Sequence, residues 1–242
     1  MSGHSKWSTI KRKKGEKDGA RAKVFTKISR EIIVAVKEGG ANPAENSKLA
    51  QLIQKAKSNN IPNDNIDRLL KKASGDAEKS NYEDCVYEGY DPNGVALIVE
   101  CLTDNRNRTA GEIRHYFDKF GGNLGTSGCV SFMFSTKGIV VLDNEDETID
   151  EDKAMEDILE AGGDDFSFEE GCVEITTDPA TVTEVGNALA AMGYTVLSAE
   201  PAKVPATYTA LTDEDHIKKM TLLLETLEDN DDVKNVWHNW EE

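Results

Sequence analysis

The chain has 242 residues, of which 38% are hydrophobic and 30% charged, at the polar end of what folded proteins use. This length favours more than one domain, since single cores rarely grow beyond about 150–250 residues. The apolar runs fall far short of the ~18 residues that a membrane span needs, and no apolar segment follows the basic N-terminus. We therefore expect neither a membrane span nor a secretory signal. An Arg-rich organelle-targeting sequence is less firmly excluded, because ten of the first thirty residues are Lys or Arg.

The net charge of −17 is divided unevenly along the chain. Residues 1–79 hold 18 Lys and Arg against 9 Asp and Glu, a charge of +9, whereas residues 80–242 hold 10 against 36, a charge of −26. A chain divided in this way attracts polyanions at one end and repels them elsewhere. The charge pattern therefore favours a nucleic-acid partner for the N-terminal third.

Residues 1–23 are basic and contain almost no aliphatic side chains, so we expect an arm or a marginal helix there. Three helices follow, each predicted from apolar residues that recur at helical spacing. Their apolar positions are Phe25, Ile28, Ile32 and Val36, then Leu49, Leu52, Ile53 and Ala56, then Ile66, Leu69 and Leu70. Three short helices in about fifty residues predict a small helical bundle.

After the bundle, strands alternate with helices. Segments 85–90 and 95–102 flank a turn of sequence Asp-Pro-Asn-Gly, which predicts a β-hairpin. Thr109 and Glu112 have the spacing of a capping box, which would open the next helix. A strand is then expected at 129–134.

The segment from 138 to 199 has the order βαββαβ, which is typical of a ferredoxin-like fold. The segment 80–135 has the order ββαβ and lacks a second helix, which the tail after residue 203 would supply. We therefore predict an α+β fold of three domains, with the ferredoxin-like domain inserted into the other α+β domain. The predicted domains are a basic arm and helical nucleic-acid-binding domain at 1–79, a discontinuous middle domain at 80–136 and 203–242, and the inserted domain at 137–202.

Basic residues of the N-terminal third are the candidate nucleic-acid contacts, because spaced cations displace counterions from phosphates and an indole can stack on a base. The third helix adds a basic group, although no helix-turn-helix pair is evident. The candidates are Lys6, Trp7, Lys11, Arg12, Lys13, Lys14, Lys17, Arg21, Lys23, Lys27, Arg68, Lys71 and Lys72. The alternative is a solvated basic tail without a partner.

Arg106 and Arg108 are further candidates for nucleic-acid binding. They follow a predicted strand and precede a helix, where two guanidinium groups and unpaired backbone N–H groups could hold a phosphate. The alternative is that both arginines pair with carboxylates of this acidic half of the chain.

Other motifs predict no catalytic or metal site. The four cysteines are far apart and are expected to be buried apolar residues. The glycine-rich segment 121–128 lies between a helix and a strand, the inverse of a P-loop, and the acidic runs 143–147 and 228–232 are expected to be solvated loops. We expect no enzyme activity, no cofactor, no metal and no small-molecule substrate, and keep a metal-dependent nuclease as a further alternative.

Several short motifs resemble those of a known family. They are Gly-His-Ser-Lys-Trp at 3–7, Tyr-Glu-Gly-Tyr at 87–90, Leu-Thr-Asp-Asn-Arg-Asn-Arg-Thr at 102–109 and Gly-Gly-Asn-Leu-Gly at 121–125. Together they resemble the YebC family, the probable transcriptional regulatory proteins of bacteria. This family is similar to a mitochondrial translational activator of cytochrome oxidase subunit I. The resemblance covers nearly the whole chain.

The resemblance implies a cytoplasmic, non-enzymatic protein of three domains. Its role would be that of a DNA-binding transcription regulator, or of a ribosome-associated factor that helps translation through proline-rich stretches. The acidic body would repel flanking duplex DNA, whereas a ribosome offers folded RNA together with basic protein surfaces. The charge pattern therefore favours ribosomal RNA over DNA as the partner.

Overall fold

The structure is a computed structural model that describes residues 18–76 and 81–241, with the backbone alone at 18–21 and 76. A short 3₁₀ helix at Ser131–Met133 accompanies the elements given next. In chain order these are α1 Asp18–Gly39, α2 Ser47–Ser58, α3 Asn63–Asp76, β1 Glu83–Tyr90, β2 Ala96–Thr103, α4 Arg106–Lys119, β3 Asn123–Leu124, β4 Phe134–Asp143, α5 Glu151–Ala161, β5 Asp165–Glu169, β6 Cys172–Thr177, α6 Val182–Ala191, β7 Val196–Pro205, β8 Thr209–Ala210, α7 Glu214–Asp229, β9 Val233–His238 and β10 Trp240–Glu241.

The first three helices form a bundle around one apolar core, as predicted. Each helix contributes residues at helical spacing, because only one face of an amphipathic helix can be removed from water. The buried residues are Ile28, Ile32, Ala35 and Val36 of α1, Leu49, Leu52 and Ala56 of α2, and Ile66, Leu69 and Ala73 of α3.

Asn46 joins the end of α1 to the start of α2. Its Oδ1 accepts a hydrogen bond from the N–H of Leu49, which makes it the N-cap of α2. Its Nδ2 donates to the carbonyl oxygens of Ala35 and Gly40, at 2.8 Å each. One buried side chain therefore satisfies backbone groups at two helix ends, which would otherwise lack partners.

The middle sheet has the strand order β3-β1-β2-β9. The predicted hairpin is confirmed, since β1 and β2 pair antiparallel and Gly94 in their turn has φ +90°, a conformation that favours glycine. Strand β9 pairs with β2, and α4 and α7 bury their apolar residues on one core with the sheet. The tail therefore supplies the second helix and the last strand, as expected.

Two sequence predictions in this part are wrong. Helix α4 begins at Arg106, and Asn105 is its N-cap, with Oδ1 accepting from the N–H of Arg108 at 3.1 Å. Thr109 lies inside the first turn, so it does not open a capping box with Glu112. The expected strand at 129–134 is also absent, because 131–133 forms a 3₁₀ helix and β4 starts at Phe134.

Glu88 explains why that segment does not become a strand. Its buried carboxylate accepts hydrogen bonds from the N–H groups of Gly128, Val130 and Ser131, at 2.8 Å each. These N–H groups are therefore not available for strand pairing. Burial raises the pKa of Glu88, but the three backbone hydrogen bonds outweigh burial, and the pKa lies below its usual value.

Residues 133–208 form a compact unit of their own with the order βαββαβ. Its sheet has the order β5-β6-β4-β7 with antiparallel neighbours, and α5 and α6 share a core with it. This is the predicted ferredoxin-like arrangement. The other unit joins the bundle to the middle sheet and takes in the described residues from 18 to 132 and from 209 to 241, so the chain has an α+β fold with one domain inserted into another. The predicted boundaries at 79/80, 136/137 and 202/203 stay a prediction.

Residues 137–203 expressed alone should fold, because their sheet and both helices close one core. Residues 80–135 alone should stay unfolded, since Met220, Leu224 and Val236 of their core come from the tail. Two-dimensional ¹H–¹⁵N NMR spectra of the two fragments would check both expectations. A fusion of 80–135 to 209–242 is the matched control and should regain dispersed signals. A dispersed spectrum from 80–135 alone would contradict the discontinuous topology.

Candidate nucleic-acid interface

Three basic residues share an exposed face of α3. Arg68, Lys71 and Lys72 have the spacing i, i+3 and i+4, so they are neighbours on one side of the helix. Ile66 and Leu69 of the same helix are buried in the bundle, which fixes the basic face outward. The three cations form no ion pair with another of the described residues.

The basic residues of α1 have partners within the chain. Lys23 forms an ion pair with Asp229, and Lys27 Nζ donates to the carbonyl oxygen of Glu228. Both acceptors lie at the C-terminal end of α7, where unpaired carbonyls and the helix dipole attract cations. The acidic segment 228–232 thus engages side chains that the sequence predicts as nucleic-acid contacts.

Asp232 is the buried centre of a cluster that joins α1, β2 and α4. Arg30 Nη1 donates to its Oδ1 and Arg108 Nη2 donates to its Oδ2, both at 2.7 Å. The hydroxyls of Thr103 and Thr109 lie 3.1 and 2.7 Å from the same Oδ2. The side chain of Asp232 is 5% exposed. The prediction of a solvated loop is therefore wrong at this residue.

The charges of this Asp232 cluster are mutually stabilising. Burial raises the pKa of Asp232, but the hydrogen bonds from Arg108 and the other donors outweigh burial, so the pKa lies below its usual value. Arg108 also donates to Asp104 at 2.9 Å, and its pKa is raised, chiefly by the hydrogen bond to Asp232. Arg30 further donates to the carbonyl of Asp231, which ties α1 to the turn before β9.

The two arginines near the start of α4 have different surroundings. Arg108 is paired with carboxylates, the alternative that the sequence left open. Arg106 is exposed, and among the described residues its guanidinium has no carboxylate partner. Its backbone carbonyl accepts from the hydroxyl of Tyr87 at 3.3 Å, which holds the first turn of α4 against β1. Arg106 is therefore the exposed member of this pair, and its role as a phosphate contact stays a prediction.

The arm falls largely outside the described part of the chain. Arg21 lies in α1, where only its backbone is described, so its side chain gives no information on the interface. The candidates that precede the described residues are Lys6, Trp7, Lys11, Arg12, Lys13, Lys14 and Lys17. Their role in binding stays a prediction.

Sequence reasoning missed Asp232 and Arg30 as a pair. Arg108 and Thr109 were singled out by their position before a helix, but their carboxylate partner is more than 120 residues further along the chain. The only signal in the sequence was the acidic run at 228–232. The sequence does not show which aspartate or glutamate of such a run becomes buried and which stays exposed. Contacts of this separation do not follow from local spacing.

Acidic residues are abundant, but they are dispersed. No group of three or more His, Cys, Asp or Glu within 18–76 and 81–241 is placed to hold a metal ion. No helix in those ranges is long and apolar enough to cross a membrane.

Cys85, Cys101 and Cys172 are buried, as predicted, and Cys129 is half-buried. The inserted unit is the most acidic part, with 18 Asp and Glu against three Lys, a charge of −15 over 133–208.

Comparison with known proteins matches nearly the whole chain. Residues 5–76 match the TACO1/YebC protein N-terminal domain, and residues 82–240 match the TACO1/YebC second and third domain. A "probable transcriptional regulatory protein" of Ruminiclostridium cellulolyticum is 57% identical over 242 residues, covering 100% of this chain and 97% of the relative. One of Finegoldia magna, with the same name, is 52% identical over 241 residues, covering 100% and 99%. The crystal structure of a conserved hypothetical protein from Aquifex aeolicus is 41% identical, with a TM-score of 0.83 and coverage of 93% and 91%.

Proposed function

Because the chain belongs to the TACO1/YebC family, we propose that it is a nucleic-acid-binding regulator of gene expression that works on the ribosome. There it would bind folded ribosomal RNA and ease elongation through proline-rich stretches. The observation that carries the proposal is the charge distribution, since an exposed basic face on α3 belongs to a segment of charge +9 in a chain whose remainder carries −26.

Folded RNA suits this distribution better than a long duplex. A duplex carries phosphates at a uniform high density along its whole length. Any part of it that comes within a Debye length of the acidic segments, ~8 Å at physiological salt, is repelled. Folded RNA in a ribosome presents phosphates in short, bent patches next to basic proteins, so cations and carboxylates of one chain can each find a partner of opposite charge.

Transcriptional regulation through DNA is the second candidate. The names of the relatives from Ruminiclostridium cellulolyticum and Finegoldia magna favour it. Asn65 and Arg68 of α3 are residue types that read base edges in the major groove. In this case α3 would lie in the groove, and its lysines would contact flanking phosphates.

Arg106→Ala is expected to separate the two functions. Arg106 lies at the N-terminus of α4, apart in sequence from α3, where a bent RNA phosphate could meet both the guanidinium and unpaired backbone N–H groups. We expect weaker cosedimentation with ribosomes and slower translation of proline-rich reporters, but unchanged binding to a short DNA duplex. Arg114→Ala, an exposed arginine further along the same helix, is the matched control and should change neither.

Loss of specific promoter binding by Arg106→Ala, with ribosome cosedimentation intact, would contradict the ribosomal proposal and favour the DNA function. Genome-wide crosslinking to DNA, performed beside ribosome cosedimentation on the same cells, would distinguish DNA from the ribosome as the partner of the unaltered protein. Adding Mg²⁺ or Mn²⁺ to the protein with labelled RNA or DNA tests the nuclease alternative. Turnover of either substrate would favour an enzyme over a regulator.

A further inference from the structure

Helix α5 of the inserted unit has an apolar ridge on its exposed side. Ala154 and Ile158 face the core of the unit and are fully buried. Met155 and Leu159, one turn apart, lie about 100° around the helix from this buried face and are 43% and 60% exposed. Single exposed apolar residues are ordinary, but adjacent ones at i and i+4 form a continuous ridge that folding of the unit does not need.

Carboxylates lie on both sides of this ridge. At 100° per residue, Glu151 projects on one side of Met155 and Leu159, and Asp152 and Glu156 project on the other. Glu160 extends the second row by one turn, and all four acidic residues are exposed. Lys153 is the one basic residue of α5 and lies at the edge of this surface. The result is an apolar ridge inside an acidic border.

We propose that the α5 ridge and its acidic border dock a cationic amphipathic segment of another protein, one that places Lys or Arg around a row of aliphatic side chains. Charge complementarity selects this occupant. A nucleic acid is repelled by the border and by the −15 charge of the unit, and a purely basic segment would leave the ridge in water. Met155 suits such a role, because its flexible side chain adapts to different apolar partners.

The geometry matches the way in which amphipathic helices dock on proteins. Apolar anchors at i and i+4 give contact area, and surrounding charges of opposite sign fix orientation and speed up encounter. This docking surface lies within the inserted unit alone and does not depend on α3 or on any RNA. A failure here would therefore leave the proposed function untouched, and a failure of the proposed function would leave this surface untouched.

The test uses the full chain and two synthetic peptides with no nucleic acid present. The first peptide places lysine and leucine at helical period, and the second has the same lysines with serine in place of leucine. Methyl NMR of methionine-labelled protein should show the Met155 signal shifting on titration with the first peptide, while the signal of buried Met220 stays constant. Binding of the first peptide should persist at raised salt, and binding of the second should not.

Two variants then separate the ridge from general charge attraction. Met155→Ser with Leu159→Ser keeps every charge and should weaken the lysine–leucine peptide about tenfold or more, since apolar contact area is lost. Glu156→Gln with Glu160→Gln should also weaken it. Glu184→Gln with Glu225→Gln removes two exposed carboxylates elsewhere and should not. Because all these side chains are exposed, the melting temperatures should stay unchanged.

Three outcomes would overturn the docking proposal. One is equal affinity of the serine variant and the unaltered protein for the lysine–leucine peptide. Another is equal affinity of the two peptides, which would show attraction by charge alone. The third is self-association of the unaltered protein that the serine variant abolishes, which would identify a second copy of the chain as the occupant.

Discussion

Asp232→Asn is expected to lower the free energy of unfolding by about 2–4 kcal/mol, because it removes the charge on which two arginines and two hydroxyls converge. Asparagine keeps the shape and one accepting oxygen, so the loss measures the charge rather than a cavity. The guanidinium groups of Arg30 and Arg108 are partly exposed and can turn to water, which limits the loss. Equilibrium unfolding in urea would check the value.

Asp229→Asn is the matched control. Asp229 forms an ion pair with Lys23, but its side chain is 67% exposed, so its removal should cost less than about 1 kcal/mol. Equal effects of the two substitutions would contradict the buried Asp232 cluster. Since the folded pKa of Asp232 is depressed, its stabilisation is present above the unfolded pKa, ~3.9, and is lost as the pH falls through the folded value. The Asn variant should therefore lose less stability than the unaltered protein on acidification over that range.

Lys71→Ala with Lys72→Ala is expected to weaken RNA binding roughly thirtyfold at about 0.1 M salt, because two phosphate contacts and their released counterions are lost. The slope of log K against log salt should become shallower by about 1.5. Fluorescence anisotropy with a labelled structured RNA over a range of salt concentrations would measure both. Unfolding should hardly change, since both side chains are exposed on α3.

Lys218→Ala with Lys219→Ala is the control for this pair. It removes an adjacent, exposed lysine pair from α7, so the net charge of the protein changes equally. A small effect on RNA binding would show that position, not total charge, decides affinity. Should both doubles weaken binding alike, the α3 face would not be an interface, and attraction to the whole chain would explain the affinity.

Local patterns predicted most of the helices and strands because their causes are local. Ile28, Ile32 and Val36 mark a helix by their spacing alone, and the turn before Val95 marks a hairpin by its composition. The segment 129–134 was misjudged because Glu88, some forty residues earlier, takes up its N–H groups. A partner that is distant in sequence overrides local propensity there.

The candidate interface was predicted less completely for the same reason. Basic composition pointed to α1 and α3 equally, since local sequence does not show which lysines find a partner that is distant along the chain. The difference between them comes from the C-terminal end of α7, whose acceptors engage Lys23 and Lys27, whereas Lys71 forms no ion pair with another of the described residues. Similarly, Thr109 resembled a cap, but its hydroxyl lies against Asp232.

The pairing of β9 with β2 has a consequence for the order of events during synthesis. Strand β2 ends at Thr103 and its partner begins at Val233, so at about 5–20 residues per second β2 waits on the order of ten seconds for β9. During that interval its outer edge is open to other strands, which is a hazard for aggregation. The ferredoxin-like unit lies between them and can fold within the wait, since its strands are close in sequence. A nascent chain that stops before Asp232 would therefore carry one finished unit and one open sheet, and chaperones would meet it in that state.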